Sequence, residues 1–182
     1  MNLLKMSLGL GAVGALLLAA SAFAKGAAPD PKLPKEVKDM YCLVGQWQGD
    51  FQYDMGGAKG VAKASLTCSP TSSGFGLECK ARFSGLPGGG TAEETDLFGF
   101  DPGARKYHWF SVTSMGETHD HVADIPTGNT LRWVYRGTTE GKPMEEAIVM
   151  TFSADQKRID FRNDGTIGGQ KAWSMVGPML KK

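Results

Sequence analysis

The chain is 182 residues long and carries 20 lysine and arginine residues against 19 aspartate and glutamate residues, a formal net charge of +1. No basic block or stripe stands out along it, which argues against nucleic acid or an anionic membrane surface as the main partner. At 41% hydrophobic residues, it is long enough to bury one good core as a single domain.

Residues 1–24 read as a secretory signal peptide: Lys5, an apolar run from Leu8 to Ala20, then Ala22-Phe23-Ala24 as a small-x-small cleavage site. The run is short for a membrane span, and the residue directly after the expected cut is Lys25 and not cysteine, so no stable membrane anchor is expected after cleavage. The mature chain is therefore expected to be exported, either periplasmic or secreted. Its three cysteines, in an oxidising compartment, suggest one disulfide and one spare thiol.

Residues 25–34 read as a flexible leader. Pro34 then opens a short helix over 35–43, since proline is well tolerated at the first helical position. From there to residue 182 the punctuation is all-β. Ten short alternating runs, at roughly 44–53, 60–68, 75–84, 92–100, 105–114, 117–124, 130–137, 144–153, 157–163 and 171–177, are separated by glycine, proline and aspartate. Strands at this even spacing predict a single antiparallel up-and-down β-barrel, with a sandwich as the alternative.

Alternation assigns the faces. Trp47, Gly49, Phe51 and Tyr53 share one face of the first run, and Ala62, Ala64, Leu66 and Cys68 share one face of the second. In the third run Phe75, Leu77, Cys79, Ala81 and Phe83 do the same. A hairpin pairing Cys68 with Cys79 also pairs Leu66 with Ala81 and Ala64 with Phe83, keeping every apolar residue inside. That register favours a Cys68–Cys79 bridge; bridges through Cys42, or three buried thiols, are the alternatives.

The three histidines fall together at His108, His119 and His121. His-x-His puts two imidazoles on one face of a strand. If Met115-Gly116 form a two-residue turn, Val112 pairs with His119, Phe110 with His121 and His108 with Ala123, so all three histidines project inward beside Phe110. A one-residue bulge would send His108 to the other side. In the two-residue register the three imidazoles could hold zinc or copper at about 2.0–2.1 Å with a fourth position open. They could equally contact a ligand directly or serve as structural residues. Asp120 is expected at the surface. Trp133, with the other aromatic residues of the later strands, is expected in the core or on a ligand cavity.

Other motifs carry less. Gly85 to Gly90 is a glycine-rich loop with no Lys-Ser/Thr after it. Glu93-Glu94 with Asp96, and Glu145-Glu146, read as solvated strand faces, because adjacent strand residues point opposite ways. No nucleophile elbow is present.

Gly45-Gln46-Trp47 followed by Gly49 resembles the opening of lipocalins and other calycins. That resemblance implies a basic side chain from a late strand over the tryptophan, a role for Arg158 or Arg162. Over roughly 41–178 a further set of motifs runs Leu43-Val-Gly-Gln-Trp-Gln-Gly49, Gly99-Phe-Asp-Pro102, Lys106-Tyr107, Val112-Thr-Ser-Met-Gly116, Gly137 and Gly141-Lys-Pro143. These resemble domain-of-unknown-function family 1579, a calycin-like family. That implies a small barrel with an interior cavity and no defined activity. Nitrobindin-like haem barrels share the opening, but no histidine lies near this C-terminus to act as their proximal ligand, which weighs against haem. The expected function is binding of a small apolar or aromatic ligand by His108, His119, His121, Phe110 and Trp133, with or without a histidine-bound metal. A metal-dependent enzyme and a structural or envelope-interaction protein with a filled barrel are the alternatives.

Overall fold

A computed structural model describes residues 32–182; the expected signal peptide and most of the leader lie outside the described residues. Helix α1 (Lys35–Met40) passes into a 3-10 turn (Tyr41–Leu43), so the expected helical segment is split where the chain bends toward the first strand. Ten strands follow: β1 (Gly45–Met55), β2 (Ala58–Pro70), β3 (Gly76–Leu86), β4 (Gly90–Asp101), β5 (Lys106–Thr113), β6 (Thr118–Asp124), β7 (Thr130–Thr139), β8 (Lys142–Phe152), β9 (Arg158–Ile167) and β10 (Gln170–Lys181).

Each strand pairs antiparallel with its sequence neighbours, and β10 pairs with β1 to close the barrel. Closure leaves no free sheet edge. At the closing seam β1 and β10 approach closely: a Cβ on Gly49 would lie 2.0 Å from the Pro178 carbonyl oxygen, and one on Gly177 would lie 2.2 Å from that of Asp50. Glycine is required at both.

The β2–β3 hairpin has the expected register, Cys68 opposite Cys79, Leu66 opposite Ala81 and Ala64 opposite Phe83. Cys68 and Cys79 form a disulfide, their Cα atoms 4.1 Å apart. Phe75, expected inside, precedes the first paired residue of β3 and is exposed. Cys42 is a free, half-buried cysteine whose thiol burial pushes up to about 11.

Up-and-down connectivity sends the starts of the odd strands and the ends of the even ones to one end of the barrel. Helix α1 and the 3-10 turn after it cover that end, burying Val37, Met40 and Leu43 against Trp47 and the inward residues of the neighbouring strands. Trp47 is wholly buried and donates from Nε1 to the Leu43 carbonyl oxygen at 2.8 Å. The basic side chain over its ring is Lys181, with Nζ 5.1 Å from the centroid, because Lys181 is the residue of β10 opposite Trp47. Arg158 and Arg162, expected in that role, point outward and pair with Asp160 and Asp164 along their own strand. Above this floor lies an aromatic layer in which Phe98, Trp109, Tyr107 and Trp133 meet stacked or edge-on. No helix among the described residues is long and apolar enough to cross a membrane.

Candidate functional site

The β5–β6 turn decides what the barrel presents to its interior. Thr113 is the last paired residue of β5, its amide donating to the Glu117 carbonyl oxygen at 3.0 Å. Ser114, Met115 and Gly116 therefore form a three-residue loop. Gly116 adopts φ of 84°, a left-handed conformation that glycine enters without a Cβ clash, and Thr113 Oγ1 accepts from the Met115 and Glu117 amides.

The extra loop residue shifts the register by one from a two-residue turn. Trp109 now faces His121, Ser111 faces His119, His108 faces Val122 and Phe110 faces Asp120. Trp109, Ser111, His119 and His121 point inward. His108 points outward and meets Asp120, Nδ1 to Oδ1 at 3.1 Å, and Phe110 is 42% exposed. His108 and Phe110 therefore lie away from the two inward histidines. Trp133 is wholly buried in the aromatic layer and is not part of the cavity wall.

The third partner of His119 and His121 is Glu146. It lies in the inward register Met144, Glu146, Ile148, Met150, Phe152 of β8, while Glu145 points out to Arg136 at 2.8 Å. Glu146 Oε2 receives His121 Nε2 at 2.8 Å and His119 Nδ1 at 3.2 Å. Asn163 donates from Nδ2 to Oε1 at 2.5 Å, and Trp173 Nε1 donates to Asn163 Oδ1 at 2.9 Å. Tyr135 stacks on the His119 ring, centroids 4.1 Å apart, which fixes that imidazole's plane. His121 is 3% and Glu146 7% exposed.

Burial alone would push the Glu146 carboxyl up. The hydrogen bonds from His119 and His121, the His121 charge and the Asn163 amide outweigh it and hold the group down to about 2. One ligand atom from each of His119, His121 and Glu146 lies within 4.8 Å of the others, close enough to converge on one cation. Two imidazole nitrogens and a carboxylate oxygen are also the donor set of catalytic zinc sites, which keep a fourth position open.

Two further carboxyls face inward from β4, in the register Ala92, Glu94, Asp96, Phe98, while Glu93 points outward to Arg82. Asp96 is 1% exposed, and neither of its oxygens has a hydrogen-bond partner among the described residues. Burial pushes its carboxyl up; the dipoles of Trp109 and Ser111 nearby offset this only in part. Burial, then the charges of Asp96, Glu146 and Glu117, push Glu94 up to about 8. The two acidic pairs expected on solvated faces are thus each split, with Glu94, Asp96 and Glu146 inside.

Glu94, Asp96, His119, His121, Glu146 and Asn163 all border one cavity of about 780 Å³, open at the end of the barrel opposite α1. Phe51, Phe83, Phe98, Trp109, Phe161 and Met150 are part of its apolar wall. The interior is not filled by side chains. An apolar pocket with a few converging polar groups is the usual form of a small-molecule site.

No protein-family model matches the chain, and no curated protein matches it. The likeness to calycins and to family 1579 thus rests on the motifs quoted above. Solved structures do match. The crystal structure of Rv2717c from M. tuberculosis superposes with a TM-score of 0.60 over 82% of this chain and 99% of that one, at 11% identity. At that identity the likeness shows the shared barrel fold and nothing further.

Proposed function

We propose that this is an exported small-molecule-binding barrel that holds an apolar or aromatic ligand in its cavity, anchored at His119, His121 and Glu146 through a divalent transition metal. The observation that carries the reading is the placement of that buried His-His-Glu cluster on the wall of an otherwise apolar cavity of about 780 Å³. The inward histidines are two, and the carboxylate of Glu146 takes the place expected for His108. Zinc and copper both suit imidazole nitrogens. Export is supported by the signal-like N-terminus and by the Cys68–Cys79 disulfide, which persists in oxidising compartments.

The test is metal content by mass spectrometry on protein exported and purified without tags or chelators. About one metal per chain is expected in the wild type and in His108→Ala, and none in His119→Ala/His121→Ala. A metal-free wild type, even after incubation with zinc and copper, overturns the metal anchor. Ligand entry is read separately through the fluorescence of Trp109 and Trp173, which border the cavity. The same sample, sequenced from its N-terminus, should begin at Lys25.

The open position of such a donor set favours a second reading, a metal-dependent hydrolase in which the metal activates water. It predicts chelator-sensitive turnover of an ester such as 4-nitrophenyl acetate, whereas a binding protein shows none above background.

A further inference from the structure

The polar half of the cavity is unbalanced in charge. Glu146 is answered by two imidazoles and the Asn163 amide. Neither Asp96 nor Glu94 meets a basic side chain or a hydrogen-bond partner among the described residues, and for Asp96 the nearby Trp109, Ser111 and His121 offset the burial only in part. The residues opposite Asp96 are Cys79 on β3, already in the disulfide, and Ser111 on β5; those opposite Glu94 are Ala81 and Thr113. The basic side chains of the same region, Lys80 and Arg82, point outward and pair with Glu78 and Glu93. Among the described residues the one lysine bordering the cavity is Lys171, which lies at the mouth with its side chain 60% exposed and 3.9 Å from Asp54.

A buried carboxyl with both oxygens unpartnered carries the desolvation penalty without the hydrogen bonds that normally offset it. A ligand can supply those bonds. Trp109 and Phe98, stacked at 5.0 Å, lie beside Asp96 on the same inward face and border the cavity, where they would pack against the apolar body of a ligand. The Nε1 of Trp109 and the Nδ1 of His121 are likewise buried and without a hydrogen-bond partner among the described residues, so three neighbouring polar groups share this property.

We infer that the ligand is an amine: an apolar or aromatic body filling the cavity, with an ammonium group seated on the carboxyls of Asp96 and Glu94. The inference rests on the cavity-binding reading above but not on the metal. An ammonium donates three hydrogen bonds, so it can satisfy both Asp96 oxygens and reach Glu94. A neutral hydroxyl donates one. A carboxylate would bring a negative charge against two buried acids with no basic side chain beside them to answer it.

The test compares three probes with one ring system, 2-(2-naphthyl)ethylamine, 2-(2-naphthyl)ethanol and 2-naphthylacetate, by titration calorimetry at pH 7 with chelator present so that no metal–amine bond contributes. The amine is expected to bind about tenfold or more tighter than the alcohol, the worth of charge-assisted hydrogen bonds, and the carboxylate not to bind. Asp96→Asn should abolish the amine preference and Glu94→Gln should reduce it, with alcohol affinity unchanged as the sign of an intact cavity. Asp120→Asn, on the outer face, should change nothing. Equal binding of amine and alcohol by the wild type overturns the amine inference and leaves the cavity reading standing. A preference that survives both carboxyl substitutions also overturns it. Binding of none of the probes, with the chelator or in the metal-loaded protein without it, overturns both.

Discussion

At the end covered by α1, the barrel buries Trp47, Leu43, Tyr107 and Trp133 against one another, and the polar atoms left without partners there, Tyr107 Oη and Trp133 Nε1, are neutral ring substituents. Toward the open end the same ten strands turn inward Glu94, Asp96, His119, His121, Glu146 and Asn163. Burying neutral polar atoms costs far less than burying ionisable ones. The first half is built for stability. The second holds groups that a stability-driven core would exclude, and strained or costly groups of that kind concentrate at functional sites.

The contrast can be broken most directly at the floor. Trp47→Ala removes a wholly buried side chain together with its hydrogen bond and the Lys181 contact, and should cost about 3–5 kcal/mol in denaturant unfolding. A loss below about 1 kcal/mol would mean that the floor is not the stabilising half. Replacing Cys68 and Cys79 with alanine opens a loop of sequence separation 11, for which about 2–3 kcal/mol is expected.

At the open half the sign should reverse. Glu94, pushed up to about 8, stays protonated in the fold at pH values where the unfolded chain ionises it. Its contribution is full below the ordinary carboxylate value and is lost as pH rises toward 8. Glu94→Gln should therefore raise the Tm at pH 8 by roughly 3–6 °C and change it little at pH 4. Thermal melts in which the variant is no more stable than the wild type at pH 8 would remove Glu94 from the costly half. The smallest effect is expected at His108→Ala: outward and paired only with Asp120, it should shift stability by less than about 0.5 kcal/mol.

The sequence made the floor legible except for Lys181, which stands where Arg158 or Arg162 was expected, and the site only in part, for reasons that lie in particular residues. Cys68 and Cys79 each continue an apolar register, so pairing them and choosing the inner face were one decision. The β5–β6 hairpin offered no such check. Phe110 and Val112 compete with Trp109 and Ser111 for the interior, and Met115-Gly116 fits either a two- or a three-residue loop; the one-residue difference exchanges the faces of β5. The acids were hidden by composition, since Thr91, Glu93, Thr95 and Glu94, Asp96 leave β4 polar in both registers. A signal was present nonetheless. Ala92-x-Glu94-x-Asp96-x-Phe98 and Met144-x-Glu146-x-Ile148-x-Met150 place the acids in registers whose other members are apolar, and both registers are the buried ones.

The closing seam sets the order in which this molecule can assemble. Nine of its ten strand pairings join neighbours in sequence and can form as hairpins while the chain is still being made. The tenth, β1 with β10, needs residues as far as Lys181, which both completes the ladder opposite Trp47 and settles over its ring. Until those last residues emerge, two strands stand with unpaired backbone, and a chain that stops before Gln170 keeps both edges open to other chains. The last strand, Gln170–Lys181, thus acts as the fastener of the whole sheet, and a premature stop there should yield aggregate where an N-terminal trim that keeps Leu33, a buried residue of the core, would yield a folded barrel.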